Sequence, residues 1–177
     1  MAKMEMVDIV NRDDEVVDTV PRAVMRANHL PHRSTYVVVM DNSGRILVEL
    51  RTLTKDYAPG VFDACVGGVV QSGEDIDHSA KRELFEEVGI DVDSNHSLKF
   101  TKLGKLCIPY AISDGFVMAQ LYLCQGDCIT SRQPSEVSGI MMLSYQELLA
   151  LKDQCARDSF IAFEEIYKRA QELKLIV

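Results

Sequence analysis

The period of the apolar positions changes several times along the chain, and each change marks an element. MVDIV and EVVDTV, residues 6–20 around the turn NRDD, alternate apolar and polar side chains and predict a hairpin. Pro21 then suits the first turn of a short helix. TYVVVM and RILVEL flank DNSG, with Gly44 where a turn asks for positive φ, and predict a second hairpin. The glycines and Pro59 of YAPGVFDACVGGVVQSGE break the next stretch into short strands. Asp75 is placed to cap a helix over 76–88 that Gly89 closes. LKFTKLGKLCIPY, GFVMAQLYLC and SGIMMLS are rich in strand formers. Ser144 and Glu147 have capping-box spacing for a helix through Leu151. A last helix from near Asp158 carries Phe160, Phe163, Ile166, Ala170 and Leu173 on one stripe. Strands interspersed with helices predict an α/β (α+β) fold: an α/β/α sandwich on a mixed sheet, plus an N-terminal β-hairpin. No repeat or linker divides the chain. Residues 1–177 therefore read as one domain, with 1–30 as the hairpin and a short helix packing on it.

Composition narrows the partners. The chain has 177 residues, 47% of them hydrophobic, and 19 basic against 27 acidic residues give a net charge of −8. Such a surface repels nucleic acid and anionic membrane, so neither is expected as a partner, and an anionic substrate needs local cations. MAKMEMVDIVNRDDEVV carries acids where a signal sequence needs an apolar run, and nowhere are eighteen apolar residues continuous; a cytoplasmic protein is expected. The five cysteines are odd in number and mostly embedded in apolar segments, so reduced core thiols are expected. A zinc site would have to be assembled from Cys124, Cys128, His29 and His32, without the paired spacing such sites show. Nothing in the sequence decides between monomer and homodimer.

The chemistry concentrates in RELFEEVGI, residues 82–90. Glu83, Glu86 and Glu87 stand near the negative end of the helix dipole, at a cost of about 0.3–1 kcal/mol each if exposed. At about 100° per residue they share one arc, bordered by the apolar stripe of Ala80, Leu84 and Val88. Arg82 borders the other side of the arc, one turn from Glu86, and its fork can orient a carboxylate. The helix should therefore lie at the edge of a cleft. A solvated charged face is the plain alternative.

The wider spacing, Gly68-x5-Glu74-x7-Arg82-Glu83-Leu84-x-Glu86-Glu87-x-Gly89-Ile90, resembles the complete signature of the Nudix hydrolase family. Hard oxygen donors without thiolate or imidazole select Mg2+ or Mn2+. The resemblance implies that Glu86 and Glu87 are the chief metal ligands. Glu83 would add a ligand or take the proton of attacking water, and Gly68 would contribute its carbonyl. Arg82 and Glu74 would fix the geometry, and Gly89 supplies the left-handed turn. A later acidic residue serves some family members as general base, and Glu136 in RQPSEVSGI is the candidate beside the alternative of an exposed loop charge. The activity implied is hydrolysis of a diphosphate (P–O–P) linkage in a nucleoside diphosphate derivative or similar small molecule.

HRSTYVVVMDNSGRILVELRTLTKDYAPGVFDACVGGVVQSGE also resembles isopentenyl-diphosphate isomerases and the bacterial Nudix hydrolases related to them. Those isomerases place a catalytic cysteine directly before the box glycine and a histidine just after it; here the positions hold Gly67 and Val69. Cys65 comes two residues too early and is expected in the core. His32 alone matches an isomerase ligand position, while GFVMAQLYLC lacks the carboxylates of the later strand. Hydrolase is therefore preferred to an isomerase-like enzyme. A non-catalytic ligand sensor is the third reading, although this chain keeps every box carboxylate. Arg51 and Lys55 in ELRTLTKDYAPG are the candidate phosphate contacts, or solvated loop cations. Tyr57 and Phe62 border the same region, with a core place favoured for Phe62.

Overall fold

The computed structural model describes residues 5–176. Residues 1–4, the start of the stretch MAKMEMVDIVNRDDEVV, and Val177 lie outside the described residues. The first hairpin forms as expected: β1 (Met6–Val10) pairs antiparallel with β2 (Val16–Pro21), from Met6↔Pro21 to Val10↔Val16. Asn11 fixes its turn by accepting the N–H groups of Asp13 and Glu15, each at 3.0 Å. Pro21 is a correction. It ends β2 with φ −57° and ψ 141°, and α1 (Arg22–Asn28) begins one residue later. Its fixed φ suits the extended chain as well as a helical turn.

The second hairpin closes through DNSG but does not continue. β3 (His32–Met40) and β4 (Ile46–Arg51) pair only at Met40↔Ile46 and then splay. β3 takes β7 (Phe116–Gln125) as a parallel neighbour along its whole length, from His32↔Val117 to Met40↔Gln125. β4 pairs antiparallel with β8 (Val137–Leu143) and with the short β5 (Phe62–Asp63). The segment after β5 fills the opening: Val66 and Val37 exchange hydrogen bonds at 2.8 and 2.9 Å, and the Thr35 N–H donates to the Gly68 carbonyl at 2.9 Å. This wedge seats the strand end that leads into the carboxylate helix. β6 (Lys99–Pro109) completes the mixed sheet against β7.

Helices cover both faces. β3 sends Tyr36, Val38 and Met40 to one side and Val37 and Val39 to the other, the alternation of a strand buried on both faces. On the first side lie α3 (Tyr145–Ala150) and α4 (Arg157–Glu172), contributing Leu148, Phe160, Phe163, Ile166 and Ala170. The capping box of Ser144 and Glu147 is present, with Leu151 as C-cap followed by a 3₁₀ turn. Leu173 leaves the expected stripe, because α4 ends at Glu172 and the leucine is exposed. On the other side α2 (Ile76–Val88) buries Ala80, Leu84 and Val88 against Val37, Leu47 and Tyr122. No helix among the described residues is long and apolar enough to cross a membrane.

Candidate active site

Local signals alone set the bounds of α2. Asp75 accepts the His78 N–H at 2.9 Å, and Gly89, at φ +73°, sends its N–H back to Phe85 at 3.0 Å. A Cβ on Gly89 would also approach Ser131 at 3.1 Å. With its apolar stripe buried, the helix must aim the adjoining acidic arc along the edge of the sheet. There it meets Gly68, whose absent side chain leaves the space that Glu83 fills: a Cβ would stand 2.6 Å from Glu83 Oε1.

Arg82 is the hub. Its Nε and Nη2 donate to Glu74 at 2.7 and 3.1 Å, and Nη1 donates to Glu83 at 2.8 Å and Glu86 at 3.0 Å. Burial alone would raise the Glu74 carboxyl, but these bonds hold it below the usual carboxylate range. Burial pushes Glu83 up, tempered by Arg82. Glu87, 2% exposed, is pushed by burial to about 7 against the pull of Lys55. Lys55 Nζ lies 2.6 Å from Glu87 and 2.5 Å from Glu136, so one ammonium stands between two carboxylates. Glu86 thus has Arg82 as its cation and Glu87 has Lys55, although at Glu87 burial outweighs the cation.

The structure gathers most of the residues singled out from sequence around one cleft of about 220 Å³, lined by Gly68, Arg82, Glu83, Glu86, Glu87, Lys55, Arg51, His32 and Glu136. Glu136 is held below the usual carboxylate range because Lys55 outweighs its burial. Arg51 lies in the wall but turns its guanidinium inward, to Asp63 at 2.6 Å and to the carbonyls of Tyr57 and Ala58 at 2.9 and 3.0 Å. It pins the 52–61 loop. His32 is 1% exposed, its Nδ1 is 2.9 Å from the Leu30 carbonyl, and burial lowers it to about 4, so it is neutral. Cys65 is buried with Sγ 3.6 Å from the Ser159 carbonyl, and burial keeps the thiol protonated. Phe62 packs on the core, and Tyr57 donates to Asp158 at 2.8 Å.

Four contributors escaped the sequence reading. Arg22 and Arg26, one turn apart on α1, both line the cleft. Their i, i+4 spacing beside the buried Met25 was the available signal. Glu49 on β4 is 2% exposed and pushed far up by burial and by Glu87, with Oε1 lacking a hydrogen-bond partner. It was hidden inside an apolar strand pattern. Asp158, noted only as a helix start, accepts the hydroxyls of Tyr36 and Tyr57 at 2.6 and 2.8 Å.

The donor set near α2 is carboxylate oxygen, which fits a hard divalent cation rather than zinc. Among the described residues no group of three His, Cys, Asp or Glu side chains is already gathered as a metal cluster, and Arg82 and Lys55 engage the carboxylates instead. The Gly68 carbonyl accepts the Thr35 N–H at 2.9 Å and, at the longer distance of 3.4 Å, the Thr35 hydroxyl.

Comparison with known proteins adds ancestry to this geometry. The NUDIX domain family model matches residues 30–163. An uncharacterized Nudix hydrolase, YfcD of Shigella flexneri, is 40% identical over 169 residues, covering 96% of this chain and 90% of the relative. Among solved structures, DR0079 from Deinococcus radiodurans superposes with TM-score 0.67 at 27% identity, over 82% of this chain and 87% of that one. The NUDIX domain of Shewanella oneidensis NrtR, in complex with ADP ribose, gives TM-score 0.64 at 15% identity over 85% of this chain and 99% of that one, a likeness of fold.

Proposed function

The chain belongs to the Nudix family, and from that premise we propose that it is a Mg2+- or Mn2+-dependent hydrolase of a diphosphate (P–O–P) linkage in a nucleoside diphosphate derivative or similar small molecule. The observation that carries this reading is the convergence of Glu83, Glu86 and Glu87 on one cleft, oriented by Arg82 and Glu74 and bordered by Arg22, Arg26 and Lys55. Glu83, Glu86 and Glu87, with the Gly68 carbonyl, would hold the divalent cation, which offsets charge on the phosphates and lowers the pKa of water.

The remaining work falls to side chains. Arg82 holds Glu83 and Glu86 in one orientation on the side of the cleft where the cation would bind. Glu136 is ionised and half-buried beside Lys55, and it would take the proton of attacking water. Lys55, once free of Glu87 and Glu136, would turn its ammonium to a phosphate oxygen. Arg51 supports by anchoring the loop that carries Lys55. His32, neutral and buried, is a wall of the cleft. The isomerase reading lacks support at Cys65, whose thiol is buried and protonated rather than aimed at a reacting carbon.

A screen of nucleoside di- and triphosphates, dinucleotides, nucleotide sugars and prenyl diphosphates with Mg2+ or Mn2+ tests the reading, with phosphate release read directly for the terminal diphosphates and after added phosphatase has cleaved the phosphomonoester products for the dinucleotides and nucleotide sugars. Release that rises above neutral pH and vanishes in Glu87→Gln is expected. Isopentenyl conversion without phosphate release, or ligand binding in Glu87→Gln and wild type alike with no turnover in either, would sink it in favour of isomerase or sensor.

A further inference from the structure

Lys55 and Arg82 each bring a positive charge to the box carboxylates, but only one of them is fixed. The Arg82 fork is held by Glu74 at 2.7 and 3.1 Å, so it keeps its place independently of what Glu83 and Glu86 bind. Among the described residues the Lys55 ammonium has no hydrogen-bond acceptor besides Glu87 and Glu136, at 2.6 and 2.5 Å. It is a point charge on a flexible stem, and nothing else holds it there.

The two carboxylates converge for reasons that do not involve the ammonium. The Ser131 and Gln133 N–H groups donate to the Val88 and Glu87 carbonyls at 2.8 and 2.9 Å, which docks the 131–137 segment on the end of α2. The Thr52 N–H donates to the Glu136 carbonyl at 3.0 Å and its hydroxyl to the Ser135 carbonyl at 3.2 Å, which docks the 52–61 loop on that segment. Arg51 and Tyr57 fasten the loop from its other side, through the Ala58 carbonyl at 3.0 Å and Asp158 at 2.8 Å. These bonds hold the shape of the site, and the Lys55 side chain can swing without loosening it. Glu87, 2% exposed, still needs a positive charge beside it. An ammonium and a divalent cation at the same oxygens repel each other, so one displaces the other.

We propose that Lys55 is a built-in competitor for the divalent cation: its ammonium fills the place beside Glu87 that the cation takes, and the cation binds by exchanging with it. For the cation this rests on the hydrolase reading of the box carboxylates. Arg82 organises the carboxylates before and after the exchange, whereas Lys55 sets how tightly the cation is held. The exchange favours a divalent ion, because a monovalent one replaces a single positive charge with another.

Equilibrium binding of Mn2+ tests this without turnover, with the free ion counted by electron paramagnetic resonance at about pH 8, where the Glu87 carboxyl has lost its proton. Lys55→Met should bind Mn2+ about tenfold tighter than wild type, an ordinary coupling between two competing ligands. Lys55→Arg, which keeps a charge at the same place, should stay within about threefold of wild type. In EDTA, Lys55→Met should melt below wild type, because buried Glu87 has lost its counter-charge, and saturating Mn2+ should raise its melting temperature by more than that of wild type. Lys55→Gln gives the same readings should Lys55→Met fail to fold. Mn2+ affinity unchanged or weakened in the neutral variants, affinity tightened equally in Lys55→Arg, or no Mn2+ binding by any of these proteins overturns the proposal. Failure of the hydrolase reading shows separately, as Mn2+ binding that follows this pattern while none of the screened diphosphates is hydrolysed.

Discussion

At the scale of single residues, the site depends on a missing atom and a misplaced proton. Gly68 leaves room for the Glu83 carboxylate, and a Cβ there would stand 2.6 Å from Oε1. The obstructed group is the far end of a flexible side chain, so it can swing away. Gly68→Ala should fold with a loss of about 1 kcal/mol or less, yet lose most of its phosphate release, as urea unfolding and the activity assay would show together. Glu87 keeps its proton to about pH 7 in the fold against an ordinary value of 4.5. Between those values the unfolded chain releases the proton and the native state retains it. The contribution of Glu87 is thus fully present below about pH 4.5 and lost as pH rises to about 7. In EDTA, the stability of wild type relative to Glu87→Gln should fall across that window; a flat difference would show that Lys55 has already cancelled the burial.

At the scale of elements, α2 is defined by its own sequence, whereas its charge balance is not. The cap at Asp75, the stripe of Ala80, Leu84 and Val88, and the left-handed Gly89 all lie within one stretch of chain. Asp75→Ala should cost about 1 kcal/mol in urea unfolding by releasing the His78 N–H, with the box geometry otherwise intact. Arg82 meets Glu86 because residues four apart share a helix face. Lys55 meets Glu87 only because the loop after β4 folds over α2, held by Arg51. The β3–β4 hairpin makes the same point. Its turn was legible in DNSG, but nothing local says that the strands part after Met40↔Ile46 to admit the segment of Val66 and Gly68.

At the scale of the whole molecule, the acidic chain builds one cleft where both signs of charge meet. A divalent cation binding only the native state should raise the melting temperature, by about 2.7 kcal/mol of stability at a hundred times its Kd. Differential scanning fluorimetry should show this shift with Mg2+ or Mn2+ in wild type and its absence in the Glu86→Gln, Glu87→Gln double variant; a shift that persists there would place the cation elsewhere. By itself the sequence determined the order of elements, the carboxylate arc and its hub arginine, because helix period, capping and i, i+4 contacts act within a few residues. Only the tertiary structure decided that Arg22 and Arg26 arrive from α1, that Glu49 lies buried near Glu87, and that Lys55 stands between Glu87 and Glu136. Those meetings depend on how strands pair across the sheet and on which charges burial forces together, and neither leaves a local period to read.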